Sequence, residues 1–168
     1  DIRNVLFTML VSYKDTRPCL ELLLCSGTQP LTYLYKKTTR SPINLENAVL
    51  LLQACNDMQL LRRIEQDTSY NLKNLEYPWT AYQKLLQLLI VCGHQLQLYV
   101  MNYLFCSHAH MYLWCTAYRQ NPRPLTHLSR QVIRTHLKPN VIAGVRKIPS
   151  LPASLARFIL LGSEKKKT

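Results

Sequence analysis

From Leu85 to Tyr118 the chain runs for more than thirty residues without an Asp, Glu, Lys or Arg. Such a stretch has to be taken out of water. A membrane-spanning helix needs about twenty consecutive, predominantly apolar residues. Here Gln87, Gly93, His94, Gln95, Gln97, Asn102, Ser107, His108 and His110 cut the run into apolar pieces too short for that. The remaining solution is a pair of helices buried in a packed helical array, which makes the chain all-α in class.

With 168 residues, 48% of them hydrophobic, the chain can bury one compact core or a short repeat array. The opening DIRNVLFTML has neither the charge order nor the small-residue site of a cleavable signal, and a first residue Asp1 rather than Met reads as the C-terminal part of something longer. The net charge of +12 is unevenly placed: up to Thr116 there are 10 basic and 8 acidic residues, and after it 11 basic and 1 acidic. A nucleic-acid groove interleaves aromatics and glycines with its cations. This tail has a single aromatic after Tyr118, Phe158, so a solvated basic face or a protein interface fits it better.

Cys19, Cys25 and Cys92 sit in leucine-rich helical runs, as small buried hydrophobes do, and the six cysteines read as reduced core thiols of an intracellular protein. The cluster Cys106, His108, His110, Cys115 matches no zinc spacing and no C-x-x-C occurs, so neither metal nor cofactor is expected. With no G-x-S-x-G, no phosphate loop and no carboxylate near any histidine in sequence, catalysis is not expected either.

Repeats are more informative. Residues 6–30 predict a short helix, a turn and a leucine-rich helix closed by Gly27; residues 79–97 end the same way at Gly93, 66 positions on. A glycine there accepts the left-handed conformation that closes a helix. Between them Asn44 can cap a helix with Leu45, Ala48, Val49 and Leu52 inward, and Asp57 a second with Leu60, Leu61 and Ile64 inward. Sixty-six is twice the 33-residue ankyrin period, so these segments resemble degenerate ankyrin repeats, although the T-P-L-H signature is absent and an unrelated helical bundle is the alternative.

After Pro122 and Pro124, Leu125, Leu128, Ser129, Val132, Ile133, His136 and Leu137 form one continuous helical face that Pro139 ends. Arg130, Gln131, Arg134 and Thr135 fall on the other side, as a wet face. The apolar stripe is suited either to core packing or to a partner's groove. PLTHLSRQVIRTHL is similar to the elongin-binding BC box that opens a SOCS box, with Leu125 in the leucine place, Ser129 in the cysteine place and Ile133 in the aliphatic one. KIPSLPASLARFILLG looks like the cullin box that follows: Pro149, Ser150, Leu151 and Pro152 stand for its LPLP, with Leu155, Phe158 and Ile159 matching what comes after.

The chain thus resembles the ankyrin-repeat and SOCS-box family, with repeats over 1–118, a SOCS box over 119–163 (BC box about 124–137, cullin box about 148–161) and a basic tail at 164–168. The resemblance implies a non-catalytic substrate receptor of a cullin-RING ubiquitin ligase in the cytoplasm or nucleus. Its partners would be elongin B, elongin C, cullin-5 (cullin-2 as the alternative) with its RING subunit, and a target protein held by the repeats. The implied elongin C-binding residues are Leu125, Leu128, Ser129, Val132 and Ile133: Leu125, Ser129 and Ile133 in the pocket, Leu128 and Val132 packing against the repeats or the rest of the box. Those for the cullin are Leu151, Pro152, Leu155 and Phe158. An ankyrin-type interaction scaffold without ligase activity is the other reading.

Overall fold

The computed structural model describes residues 10–29, 44–55, 57–69, 78–121 and 123–162. They form nine α-helices and no strand, in keeping with the all-α expectation: α1 Arg17–Cys25, α2 Leu45–Ala54, α3 Met58–Ser69, α4 Trp79–Val91, α5 Leu98–Ser107, α6 Ala109–Gln120, α7 Leu125–His136, α8 Val141–Arg146 and α9 Ala153–Ile159. The start of the first predicted pair, residues 6–9, and its last residue, 30, lie outside the described residues.

Local signals set the helix ends. Asn44 stands at the N-cap of α2, where its side chain accepts from the Glu46 N–H at 3.0 Å. Asp57 accepts from the N–H groups of Gln59 at 2.8 Å and Leu60 at 3.4 Å as α3 begins. Gly27 and Gly93 both have positive φ, 95° and 92°. At each, the next residue's N–H reaches back to a carbonyl five positions earlier, Thr28 to Leu23 at 3.2 Å and His94 to Leu89 at 3.0 Å. This is the Schellman closure a glycine favours. The midpoint of the two glycines, Leu60, lies buried in the first turn of α3 rather than at a helix end.

Helices α1, α2, α4 and α6 pack in succession; α3 lies against α2 and α4, and α5 against α6. The core runs along this row through Leu20 and Leu24, Leu51 and Leu52, Leu85, Leu86 and Leu89, then Met111 and Cys115, with Leu60, Leu61 and Ile64 of α3 added from the side. Asn47, fully buried in α2, donates to the Leu10, Val11 and Tyr13 carbonyls and so ties the first described residues to the row. Glu65 of α3 is buried against His94, Oε2 to Nε2 2.7 Å, and its other oxygen accepts the Gln97 N–H at 2.7 Å. That pair fixes the α4–α5 loop, and its 29-residue separation hid it from a sequence search for neighbouring carboxylates.

The charge-free run does not vanish into the core as expected. Val100, Leu104, Met111 and Cys115 are buried, but Leu98, Tyr99, Phe105 and Leu113 are exposed. The reason is position: α5 and α6 pack onto the row by one face each, and no described helix covers their outer faces. The cysteines divide likewise, Cys55, Cys92 and Cys115 being buried, Cys25 half-buried, and Cys19 and Cys106 exposed, which corrects the core placement of Cys19 and Cys106. Burial pushes the thiols of Cys55 and Cys92 up, and that of Cys115 to about 11.

The two glycines give a paired prediction. A Cβ at Gly27 meets nothing within 4 Å, whereas at Gly93 it would stand 2.9 Å from Gln131 Nε2. Gly27→Ala is expected to cost only the backbone strain of about 1 kcal/mol. Gly93→Ala is expected to cost about 1 kcal/mol more because it also displaces Gln131. Urea denaturation of the two variants beside wild type reads the difference.

Candidate partner-docking site

The C-terminal helices α7, α8 and α9 form a small core of their own around Val141, Val145 and Ile159, with Ile133, Leu137, Leu151, Ala156, Phe158 and Leu160 packed on it. Asn140 caps α8 by accepting the Ala143 N–H at 3.0 Å. Helix α8 lies against α1 and α2, and Ile142 and Leu161 enter the main core, so these helices are seated on the row rather than tethered to it.

The roll of α7 about its axis reverses the expected one. Arg134, placed on the wet face by periodicity, is 1% exposed. Its guanidinium donates to the carbonyls of Ile159 at 2.8 Å, Cys55 at 3.1 Å, Gln53 at 3.2 Å, and Leu52. Three of these carbonyls end α2, whose negative dipole end suits a cation. Burial lowers the Arg134 pKa, yet an arginine starts so high that it stays charged. On the same side Gln131 donates to Val91 O at 3.3 Å, and Tyr118 and His127 meet at 2.7 Å. Arg130 lies over the Phe158 ring, 4.2 Å from its centroid, so the basic residues of this segment are in part structural.

The Leu125, Leu128 and Val132 side of the stripe therefore faces out, while Ile133 and Leu137 at its other edge pack on the small core. Leu125 is 78% exposed and Val132 57%, and Leu128 and Ser129 are exposed beside them. This corrects the expectation that Leu128 and Val132 pack inward: the part of α7 that meets the row carries Gln131 and Arg134, which supply donors to helix-end carbonyls as leucine and valine cannot. Of the five residues implied for elongin C, Ile133 alone is half-buried, in the small core. Of the four implied for the cullin, Pro152 and Leu155 are exposed, Leu151 packs on the small core, and Phe158 sits beneath Arg130.

His127 is the titratable group at this junction. Its pKa is lowered, by desolvation first and then by Arg130 and Arg123. A base whose folded pKa lies below its unfolded value, about 6.5, stabilises the fold above that pH and loses its contribution as pH falls through the folded pKa. Wild type is expected to lose stability below pH 6.5 more steeply than His127→Gln, measured by thermal melts across pH 5–7.5.

The tempting metal cluster is dispersed: His108 stacks on Trp79 with centroids 3.4 Å apart, Cys115 is in the core, and Cys106 and His110 are exposed. Among the described residues no group of three or more His, Cys, Asp or Glu is placed to hold a metal ion, and no helix is long and apolar enough to cross a membrane.

The helical row thus presents α7 with Leu125, Leu128 and Val132 outward and its opposite side hydrogen-bonded to helix ends. A protein-family model described as SOCS box matches residues 121–160, which are these same helices. The chain carries a SOCS box, and proteins with this box act, as a family, as substrate-receptor adaptors of elongin/cullin ubiquitin ligases, typically without catalysis of their own. Ankyrin repeats are not found by the family comparison, and no curated protein and no solved structure matches the chain.

Proposed function

We propose that this chain is the substrate-recognition subunit of an elongin/cullin-RING ubiquitin ligase, with residues 119–163 as the ligase-binding box and the preceding ankyrin-like row as the part that recruits a target protein. The observation that carries the reading is the outward apolar face of α7. Leu125, Leu128 and Val132 are exposed side by side on a helix whose other side is hydrogen-bonded to the row, and a contiguous apolar patch of this kind supports a docking role. Elongin C takes Leu125, Leu128, Ser129 and Val132, with Ile133 at the edge; elongin B follows elongin C. Covering Ser129, where the family pattern has cysteine, buries a hydroxyl that needs a partner, supplied by elongin C or by the carbonyl one turn back, as Thr135 uses Gln131 O at 2.9 Å.

Pro152 and Leu155 give cullin-5 a contact, while Leu151 and Phe158 shape it from beneath. The apolar outer faces of α5 and α6, with Leu98, Phe105 and Leu113 exposed, support a recruiting role for the row. The chain's contribution to ubiquitin transfer is proximity: it holds a target lysine near a conjugating enzyme brought by the RING subunit. Such a complex works in the cytoplasm or nucleus.

The test is reconstitution from purified elongin B–elongin C, then cullin-5 with its RING subunit. A stable complex with elongins, and addition of cullin-5 that Leu155→Asp prevents, is the expected result. No complex with elongins would leave a scaffold without ligase activity.

A further inference from the structure

Three side chains of the box reach the same feature of the row. Gln131 donates to Val91 O, the last carbonyl of α4; Arg134 to Leu52, Gln53 and Cys55 O at the end of α2; Asn140 to Leu24 O at 2.8 Å and Thr28 O at 2.7 Å at the end of α1. In chain order they meet α4, α2 and α1, neighbours in the row. The last carbonyls of a helix have no i+4 partner within it, so the box adds donors at these three ends, at Leu24 O beside the Gly27 N–H that reaches it at 3.1 Å. The Gln131 hook also explains the close approach at Gly93, where no Cβ could fit without displacing it.

The alternative roll of α7 is easily specified. Turning the helix by about half a turn would bury the exposed Leu125, Leu128 and Val132 on the row while withdrawing the half-buried Ile133 and Leu137 from the small core, a net burial that the hydrophobic effect alone favours. It would also withdraw Gln131 and Arg134 from the carbonyls and leave those unsatisfied in a buried seam, which is costly. We propose that Gln131, Arg134 and Asn140 form a latch on helix-end carbonyls that holds the apolar face of α7 outward, and that Arg134 is a positioning residue for partner docking. It acts through the orientation of Leu125, Leu128 and Val132 and does not touch the partner. The partner's identity rests on the reading above; the latch does not.

The cysteines provide the readout. In the full chain, Val132→Cys places a thiol on the outward face, Cys106 is an exposed internal reference, and the buried Cys55, Cys92 and Cys115 report unfolding. Thiol labelling followed by mass spectrometry is expected to modify Val132→Cys about as fast as Cys106. Adding Arg134→Met should slow it about tenfold, as the outward orientation becomes the minor one, with the buried thiols still protected. Arg134→Lys, which keeps the charge, should restore part of the rate. Elongin B–elongin C affinity should fall and recover in step. Unchanged labelling in the folded Arg134→Met variant overturns the latch. If Arg134→Met exposes the buried thiols, Gln131→Ala decides: labelling slowed about threefold supports the latch, and an unchanged rate overturns it. Failure of the Val132 chain to bind elongins while labelling follows this pattern would refute the ligase reading alone.

Discussion

Leu125→Asp is expected to cost at least about a hundredfold in affinity for elongin B–elongin C while shifting the melting temperature by no more than about 2 °C. The two halves have separate causes. Burying a leucine side chain contributes about 1.5–3 kcal/mol, and the aspartate must also shed its hydration when the partner covers it. In the free chain Leu125 is 78% exposed, so the substitution removes almost no internal contact. Leu51→Asp, at a fully buried position of α2, is the contrasting control and should lose fold and binding together. Titration calorimetry beside a thermal melt separates the cases. Loss of stability in Leu125→Asp would mean that α7 packs its stripe inward.

Asn140→Asp is expected to destabilise the chain by about 2–4 kcal/mol, the range for leaving buried groups without donors and adding a charge. The oxygen that accepts from Ala143 N would survive, so the cap on α8 is kept. The amide that donates to Leu24 O and Thr28 O would become a carboxylate oxygen facing two carbonyls, in a site almost closed to water. Asn44 offers an internal comparison. Among the described residues its side chain accepts from Glu46 N and donates to none, so Asn44→Asp should be nearly neutral. Guanidinium unfolding of both variants checks this, and equal effects would contradict the donor role of Asn140.

What could be read from the chain was what is decided within a few residues. Asn44, Asp57, Gly27 and Gly93 act through hydrogen bonds and dihedral angles spanning at most five positions, and each helix end came where those residues placed it. Pro124 and the stripe fixed the extent of α7 equally well. The roll of α7 was not legible, because periodicity divides a helix into two faces without saying which one is inside. The usual rule fails here: the surface beneath α7 includes helix ends, whose carbonyls select Arg134 and Gln131 over leucine. Asn140 carried a usable signal, a capping residue directly before the apolar VIAGV, but its second bond to α1 spans 116 residues. The exposure of Leu98, Phe105 and Leu113 depends on how many helices follow in the row, which no local pattern contains.

We propose that elongin C docks on the outward face of α7. Hydrogen–deuterium exchange of the whole chain, with and without purified elongin B–elongin C, tests it most directly. Slowed exchange in α7, strongest around Leu125 to Val132, with α5 and α6 unchanged, is the expected result. Exchange in α7 unaltered by saturating elongins, or protection confined to α5 and α6, would contradict it.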